Sequence, residues 1–227
     1  MKQPDFMIYP TLLDNWSYFL GSDMSEEDFI KRVNGEEPAG MEALQGTAFN
    51  NTVDMLCEGS HVHFQALQDG RFYYRCDAYG REGDSHSYFF DMELVNGFVD
   101  LYKDALRQQY LEFVAETPAG PVKFYGYADG VFPSSVRDIK TTKRYEAFKY
   151  RKKWQPYVYL HALAARGCRP ESFTFDVTDF TDVWHEFYRM QDFPLEELLE
   201  ETGELCRWLE GNKELIKKQK LFNYRYV

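Results

Sequence analysis

The sequence predicts a mixed α/β domain, and three observations carry that expectation. Helical spacing dominates the N-terminal third, three strand-like runs lie between Tyr110 and Thr141, and a helix with two further strand-like runs follows them. No internal repeat, low-complexity tract or long linker interrupts the 227 residues. One continuous domain is therefore expected, with a helical part over 1–60, a core over about 61–190 and a C-terminal helix over about 194–220.

Pro10 to Asp14 opens a short helical segment, Ser25-Glu26-Glu27-Asp28 reads as a helix N-terminus, and Asn34-Gly35 ends that helix. A second helix spans Met41–Cys57 and stops at Gly59. His61–Leu67 and Arg71–Ala78 read as strands joined by the turn Gln68-Asp69-Gly70. Phe90, Leu94, Phe98 and Leu101 give Tyr88–Leu106 a helical period. Tyr110–Glu116, Val122–Asp129 and Val136–Thr141 read as strands, punctuated by Gly120-Pro121 and Pro133-Ser134. A helix from Lys153 to Arg166 follows, then strands at Phe173–Val177 and Val183–Tyr188, and a closing helix from Leu195.

Composition narrows the class. Hydrophobic residues at 44% suffice for a core, and the 18% aromatic content reads as packing. Cys57, Cys76, Cys168 and Cys206 are scattered with no C-x-x-C pair, which argues against a zinc ribbon and gives no disulfide scaffold. The start lacks a signal-peptide pattern and no run of 18 apolar residues occurs, so a cytoplasmic setting and no membrane partner are expected. Net charge is −11, yet Arg137 to Lys153 carries eight Lys and Arg against Asp138 and Glu146. That stretch is either a solvated face or a local phosphate-binding surface.

Chemistry concentrates in Tyr125-Gly126-Tyr127-Ala128-Asp129-Gly130-Val131 and in Val136-Arg137-Asp138-Ile139-Lys140-Thr141-Thr142. Strand side chains alternate between faces, so Asp138 and Lys140 share one side while Arg137, Ile139 and Thr141 share the other. A hairpin centred on Pro133-Ser134 sets Asp129 opposite Asp138, with Cβ atoms about 5 Å apart. Facing carboxylates repel, whereas a hard divalent cation takes oxygen ligands from both. Gly126 and Gly130 leave room for a bulky ligand or another backbone. Asp-x-Lys alone is a weak signal, since roughly one arises by chance in a chain of this length. Downstream, Gln155 and Tyr159 lie four apart and share a helix face.

These stretches resemble the RecB-like branch of the PD-(D/E)XK nucleases, which includes phage-type and bacterial recombination exonucleases. Tyr127–Gly130, Asp138–Thr142 and Gln155–Tyr159 match it in order and spacing. Tyr9–Asp14 is similar to its opening segment, and Gly46–Asp54 to its first motif, G-x-x-x-H-x-x-x-E. Asn50 stands where that branch often has His, and Asp54 where it has Glu. Both can still offer oxygen to a metal, with lower affinity implied. Pro156 confines the start of its helix to about Lys153–Gln155.

The resemblance implies a restriction-endonuclease-like core, a central mixed sheet flanked by helices, and Mg²⁺- or Mn²⁺-dependent hydrolysis of DNA. Asp129, Asp138 and the Ile139 carbonyl would hold the ion, Asp54 would complete the shell, and Asn50 is a weak further ligand. Lys140 would orient water or stabilise developing charge. Gln155 and Tyr159 would position the phosphate or the acids, and Thr141 would bond a phosphate. Lys143, Arg144, Lys149, Arg151, Lys152 and Lys153 would track the DNA backbone. The branch also admits a single-strand-annealing or recombination partner protein and a homo-oligomer. His61 and His63 lack a third ligand and read as structural or exposed, and His161 reads as a packed helix residue. An endonuclease of the same fold, a non-catalytic DNA- or protein-binding member, and an unrelated α/β protein with a surface Asp138–Lys140 pair remain open alternatives.

Overall fold

The computed structural model describes residues 4–37, 40–66, 70–79 and 85–222. In chain order its elements are β1 (Phe6–Ile8), α1 (Pro10–Leu20), α2 (Glu26–Asn34), α3 (Met41–Cys57), β2 (Phe64–Ala66), β3 (Phe72–Tyr79), β4 (Ser85–Asp91) and α4 (Met92–Tyr102). Then follow β5 (Leu106–Thr117), β6 (Gly120–Val131), β7 (Ser135–Thr141), α5 (Gln155–Ala165), β8 (Ser172–Thr178), β9 (Val183–Arg189) and α6 (Leu195–Gly211).

The central sheet is mixed and has six strands. β5 pairs antiparallel with β6 from Thr117↔Gly120 to Leu106↔Val131. The other edge of β6 is shared: β1 runs parallel to Val122–Phe124, and β7 meets only Gly130 and Val131. Between these short ladders, β6 residues 125–129 have no strand partner on that edge among the described residues. β7 continues in parallel with β8, and β8 pairs antiparallel with β9. Helices α1, α5 and α6 pack on one face, in a core that includes Phe124, Val158, Phe173, Phe175, Leu198 and Leu205. The other face carries α3, α4 and a three-stranded antiparallel sheet, β2–β3–β4, around Phe49, Phe90, Phe98, Tyr102 and Ile139.

Local chemistry sets the element ends. Ser25 Oγ accepts from Asp28 N at 3.2 Å, and Gly35 closes α2 in the left-handed region at φ 70°. α5 begins at Gln155 with Pro156 in its first turn, where a missing N–H leaves no bond unmade. Pro156 to Leu160 are all buried, as befits a helix lying inside the core. No helix among the described residues is long and apolar enough to cross a membrane.

Several expectations need correction. The expected helix over Tyr88–Leu106 divides into β4 and α4, and Leu106 already belongs to β5. Tyr88, Phe89 and Phe90 pair with Cys76, Arg75 and Tyr74, and Asp91 then caps α4 by accepting from Glu93 N at 2.8 Å. The N-terminal part is not wholly helical, because Phe6–Ile8 joins the sheet. Of the expected strand His61–Leu67, only Phe64–Ala66 is extended; Leu67, Gln68 and Asp69 lie outside the described residues.

Gly126 and Gly130 of β6 make room for the chain's own aromatics rather than for a ligand. A Cβ at Gly126 would lie 2.7 Å from Tyr159 Cε1, and one at Gly130 would lie 2.7 Å from Tyr102 Cδ1. Gly97 on α4 has open space at its Cβ position. We therefore expect Gly126→Ala to destabilise by about 1–3 kcal/mol through overpacking, and Gly97→Ala to stabilise by about 0.5–1 kcal/mol. Urea midpoints of the two variants check both signs; equal midpoints would contradict the close packing of Tyr159 on β6.

Candidate active site

β6 loses both neighbours at Asp129. The β6–β7 ladder has the register expected for the Pro133-Ser134 hairpin, with Val131↔Val136 and Gly130↔Arg137, and stops one pair short of Asp129 and Asp138. In place of a ladder bond, Asp129 Oδ2 accepts from Ile139 N at 2.8 Å. An extended residue points its N–H and C=O to the same side, so the Ile139 carbonyl faces the same gap. On the other side, the β5–β6 ladder pairs Arg107↔Gly130 and Gln109↔Ala128 but skips Gln108 and Asp129. Gln108 sits there at φ 47°, a conformation that L residues other than Asn and Asp rarely adopt. Its Nε2 donates to Asp129 Oδ1 at 3.1 Å and to Asp54 Oδ2 at 2.9 Å. Gln108 thus ties two acids from different elements together.

Asp138 is 2% exposed and Lys140 lies beside it. Asp138 Oδ1 accepts from Gln155 Nε2 at 2.7 Å. Lys140 Nζ is 2.6 Å from Oδ2, yet Oδ2 receives no well-directed hydrogen bond. Burial pushes the Asp138 carboxyl up to about 7, opposed by Lys140 and reinforced by Asp129. Burial works against the Lys140 ammonium, but the Asp138 and Asp129 charges hold it above its ordinary value.

The first-motif residues sit across the sheet on α3. A Cβ at Gly46 would lie 2.5 Å from Thr141 Oγ1, so the missing side chain lets α3 approach β7. Thr141 is thereby turned toward α3. Asp54 is bound by Arg107, whose Nε donates to Oδ1 at 2.9 Å and whose guanidinium lies 4.4 Å over the Tyr102 ring. Burial raises the Asp54 carboxyl while Arg107 pulls it down. Asn50 Oδ1 is buried without a donor.

Tyr159 is buried and its hydroxyl donates to the Tyr127 carbonyl at 2.8 Å, in the gap between β1 and β7. Burial, with the Asp138 charge, holds that phenol well above its usual range. Gln155 reaches Asp138 from the same helix face. Beyond β7, Lys143, Arg144, Lys149, Arg151 and Lys152 are exposed on the 142–154 loop. Lys143 pairs with Glu42 at 2.5 Å, and Lys153 turns back to Asp14 at 3.3 Å.

The structure thus brings Asp129, Asp138, Lys140, Gln155 and, through Gln108, Asp54 into one constellation. Among the described residues no group of three or more His, Cys, Asp or Glu is arranged to hold a metal. Five surface hollows of about 360–470 Å³ each are lined by residues outside this constellation. His61 and His63 are exposed neighbours with ring centroids 5.8 Å apart, and His161 Nε2 meets the Phe193 carbonyl at 2.9 Å. Sequence reasoning missed Arg107 and Gln108. Arg107 carries no local signal, and a strained glutamine has none to carry.

No protein-family model matches the chain, and no curated protein matches it by sequence. Among solved structures, the crystal structure of SSO0001 is similar at 14% identity and TM-score 0.42, covering 99% of this chain and 82% of that one.

Asp138 gives a pH signature. In metal-free protein the native carboxyl keeps its proton up to about pH 7, whereas an unfolded aspartate releases it near ~3.9. Between those values the native state binds more protons, so this group makes stability fall as pH rises. Asp138→Asn should flatten that part of the profile, read as urea midpoints from pH 4.5 to 7.5 with chelator. An unchanged slope would mean that Asp138 is not a high-pKa acid.

Proposed function

We propose that the chain is a divalent-metal-dependent deoxyribonuclease with a restriction-endonuclease-like core, acting as an exonuclease in phage-type recombination or repair. The single observation that carries this reading is the meeting of Asp129, Asp138 and Lys140 where β6 and β7 part, with the Ile139 carbonyl turned into the gap. The donor set has the chemistry of a hard-cation site: it consists of oxygens, and buried Asp138 Oδ2 is met only by the Lys140 ammonium, 2.6 Å away.

Asp129, Asp138 and the Ile139 carbonyl would hold Mg²⁺ or Mn²⁺, and Asn50 is a weak further ligand. The ion supplies phosphate polarisation and a bound water of lowered pKa. Lys140 neutralises charge that develops on the phosphate and orients the attacking water. Gln155 fixes the Asp138 carboxylate through Oδ1. Tyr159 holds β6 open at Tyr127. Gln108 keeps Asp129 aimed at Ile139, and the exposed loop cations engage the DNA backbone. Asp54 is already neutralised by Arg107, which makes it a supporting residue in this reading.

A second reading has a specific observation behind it. Each of the three acids is engaged by internal donors, from Arg107, Gln108, Gln155 and Lys140, as a non-catalytic nucleic-acid-binding member of the fold would have them.

Purified protein with Mg²⁺ is expected to degrade linear but not closed circular duplex DNA. Asp138→Asn and Lys140→Ala should each lower the rate by about 10²-fold or more, the effect of removing one transition-state stabiliser. Cutting of closed circles would favour an endonuclease, and DNA binding without cleavage in Mg²⁺ and Mn²⁺ would favour the binding module.

A further inference from the structure

The loop at 142–154 displays one residue whose placement the catalytic set does not explain. Phe148 has φ 62° and is 63% exposed. A left-handed backbone is unfavourable for a bulky residue, and glycine or asparagine would relieve it. Phe180 shares the conformation at φ 72°, but its ring packs 5.6 Å from the rings of Phe49 and Phe90, and that burial offsets the strain. Phe148 gains no such burial.

The loop around it is firmly held. Lys149 Nζ donates to Thr142 Oγ1 at 2.8 Å, Tyr150 N to Glu186 Oε2 at 3.3 Å, and Trp154 N to Asp14 Oδ1 at 3.1 Å. Tyr145 stacks on Trp184 with centroids 4.4 Å apart. The ring is therefore presented by a braced turn and not by slack chain. Lys149 follows it directly, and Arg144, Arg151 and Lys152 are exposed on the same short loop, which begins next to Thr141 of the candidate site.

A flat apolar face among cations suits a polyanion that carries flat apolar faces of its own. Duplex DNA offers the charge but covers its bases, whereas an unpaired strand offers both. We infer that Phe148 is a stacking platform for an unpaired base, and that the loop selects DNA with a single-stranded end. This rests on the nuclease reading for the class of ligand, and adds the form of substrate that reaches the acids.

The test measures binding in chelator, so that cleavage plays no part, to a duplex with a single-stranded tail carrying 2-aminopurine and to the same duplex with blunt ends. Wild-type protein should prefer the tailed form and change the 2-aminopurine emission. Phe148→Ala should weaken tailed-duplex binding by roughly five-fold or more, the low end of one base–aromatic stack, and leave blunt-duplex binding unchanged. Phe148→Trp should retain tail binding, with indole quenching. The position is exposed, and circular dichroism checks that each variant folds. Equal tail binding by wild type and Phe148→Ala overturns the inference. If Arg151→Glu combined with Lys152→Glu then loses both duplexes, DNA binding by the loop survives and only the role of the ring falls. If wild-type protein binds neither duplex, the nuclease reading falls as well. An altered sedimentation size in Phe148→Ala, with tail binding intact, identifies the ring as a contact between copies and also overturns it.

Discussion

One carboxylate governs how this sheet is built. Asp129 accepts the Ile139 N–H that a continued hairpin would have given to a backbone carbonyl. A backbone acceptor in that place would be neutral and already satisfied, so putting a charge there obliges the neighbourhood to supply donors. Gln108 answers from β5 by adopting φ 47° and leaving its ladder place. The divergence of β7 leaves the Ile139 carbonyl facing the gap, and Asp138 is sealed beneath Gln155 and Lys140. The site is a controlled break in a sheet.

What closes the hairpin just before that break is a second polar network on the opposite face. Asp176 on β8 is fully buried and accepts from Tyr102 Oη at 2.7 Å, from Arg137 Nε at 2.8 Å, and pairs with His185 Nδ1 at 2.6 Å. Burial alone would raise its carboxyl, but the His185, Arg137 and Tyr102 hydrogen bonds hold it below the ordinary range. Arg137 is the β7 residue opposite Gly130, and the Tyr102 ring fills the space that a Gly130 side chain would occupy. The last closed pair of the ladder is thus clamped by α4 and β8, which lets the next pair open without the strands slipping.

Much of this was legible in the sequence where a local rule applied. Alternation placed Asp138 and Lys140 together, the Pro133-Ser134 turn set the register of β7, and Pro156 located the start of α5. Legibility failed where the cause was distant. β1 is three residues long and takes its identity from β6, so no period betrays it. The aromatic run at Tyr88–Phe90 suits a helix until the Asp91 cap is recognised. Glycine at 126 and 130 signals a close approach without saying of what, and rings of the same chain answer. Gln108 and Arg107 are ordinary residues whose roles come from tertiary placement.

The charge ledger of the site then bears on how a cation would sit in it. Arg107 already neutralises Asp54, and Gln108 offers amide hydrogens to Asp54 and Asp129 at the point where a bridging ion would otherwise link them. Lys140 offsets half the charge of the Asp129–Asp138 pair. One divalent ion between Asp129 and Asp138 would turn the local balance modestly positive, which an incoming phosphate then compensates. A second ion beside Asp54 would meet the Arg107 guanidinium and find no uncompensated acid. On the nuclease reading proposed above, these internal cations would favour a single ion, and an incoming phosphate would complete the charge.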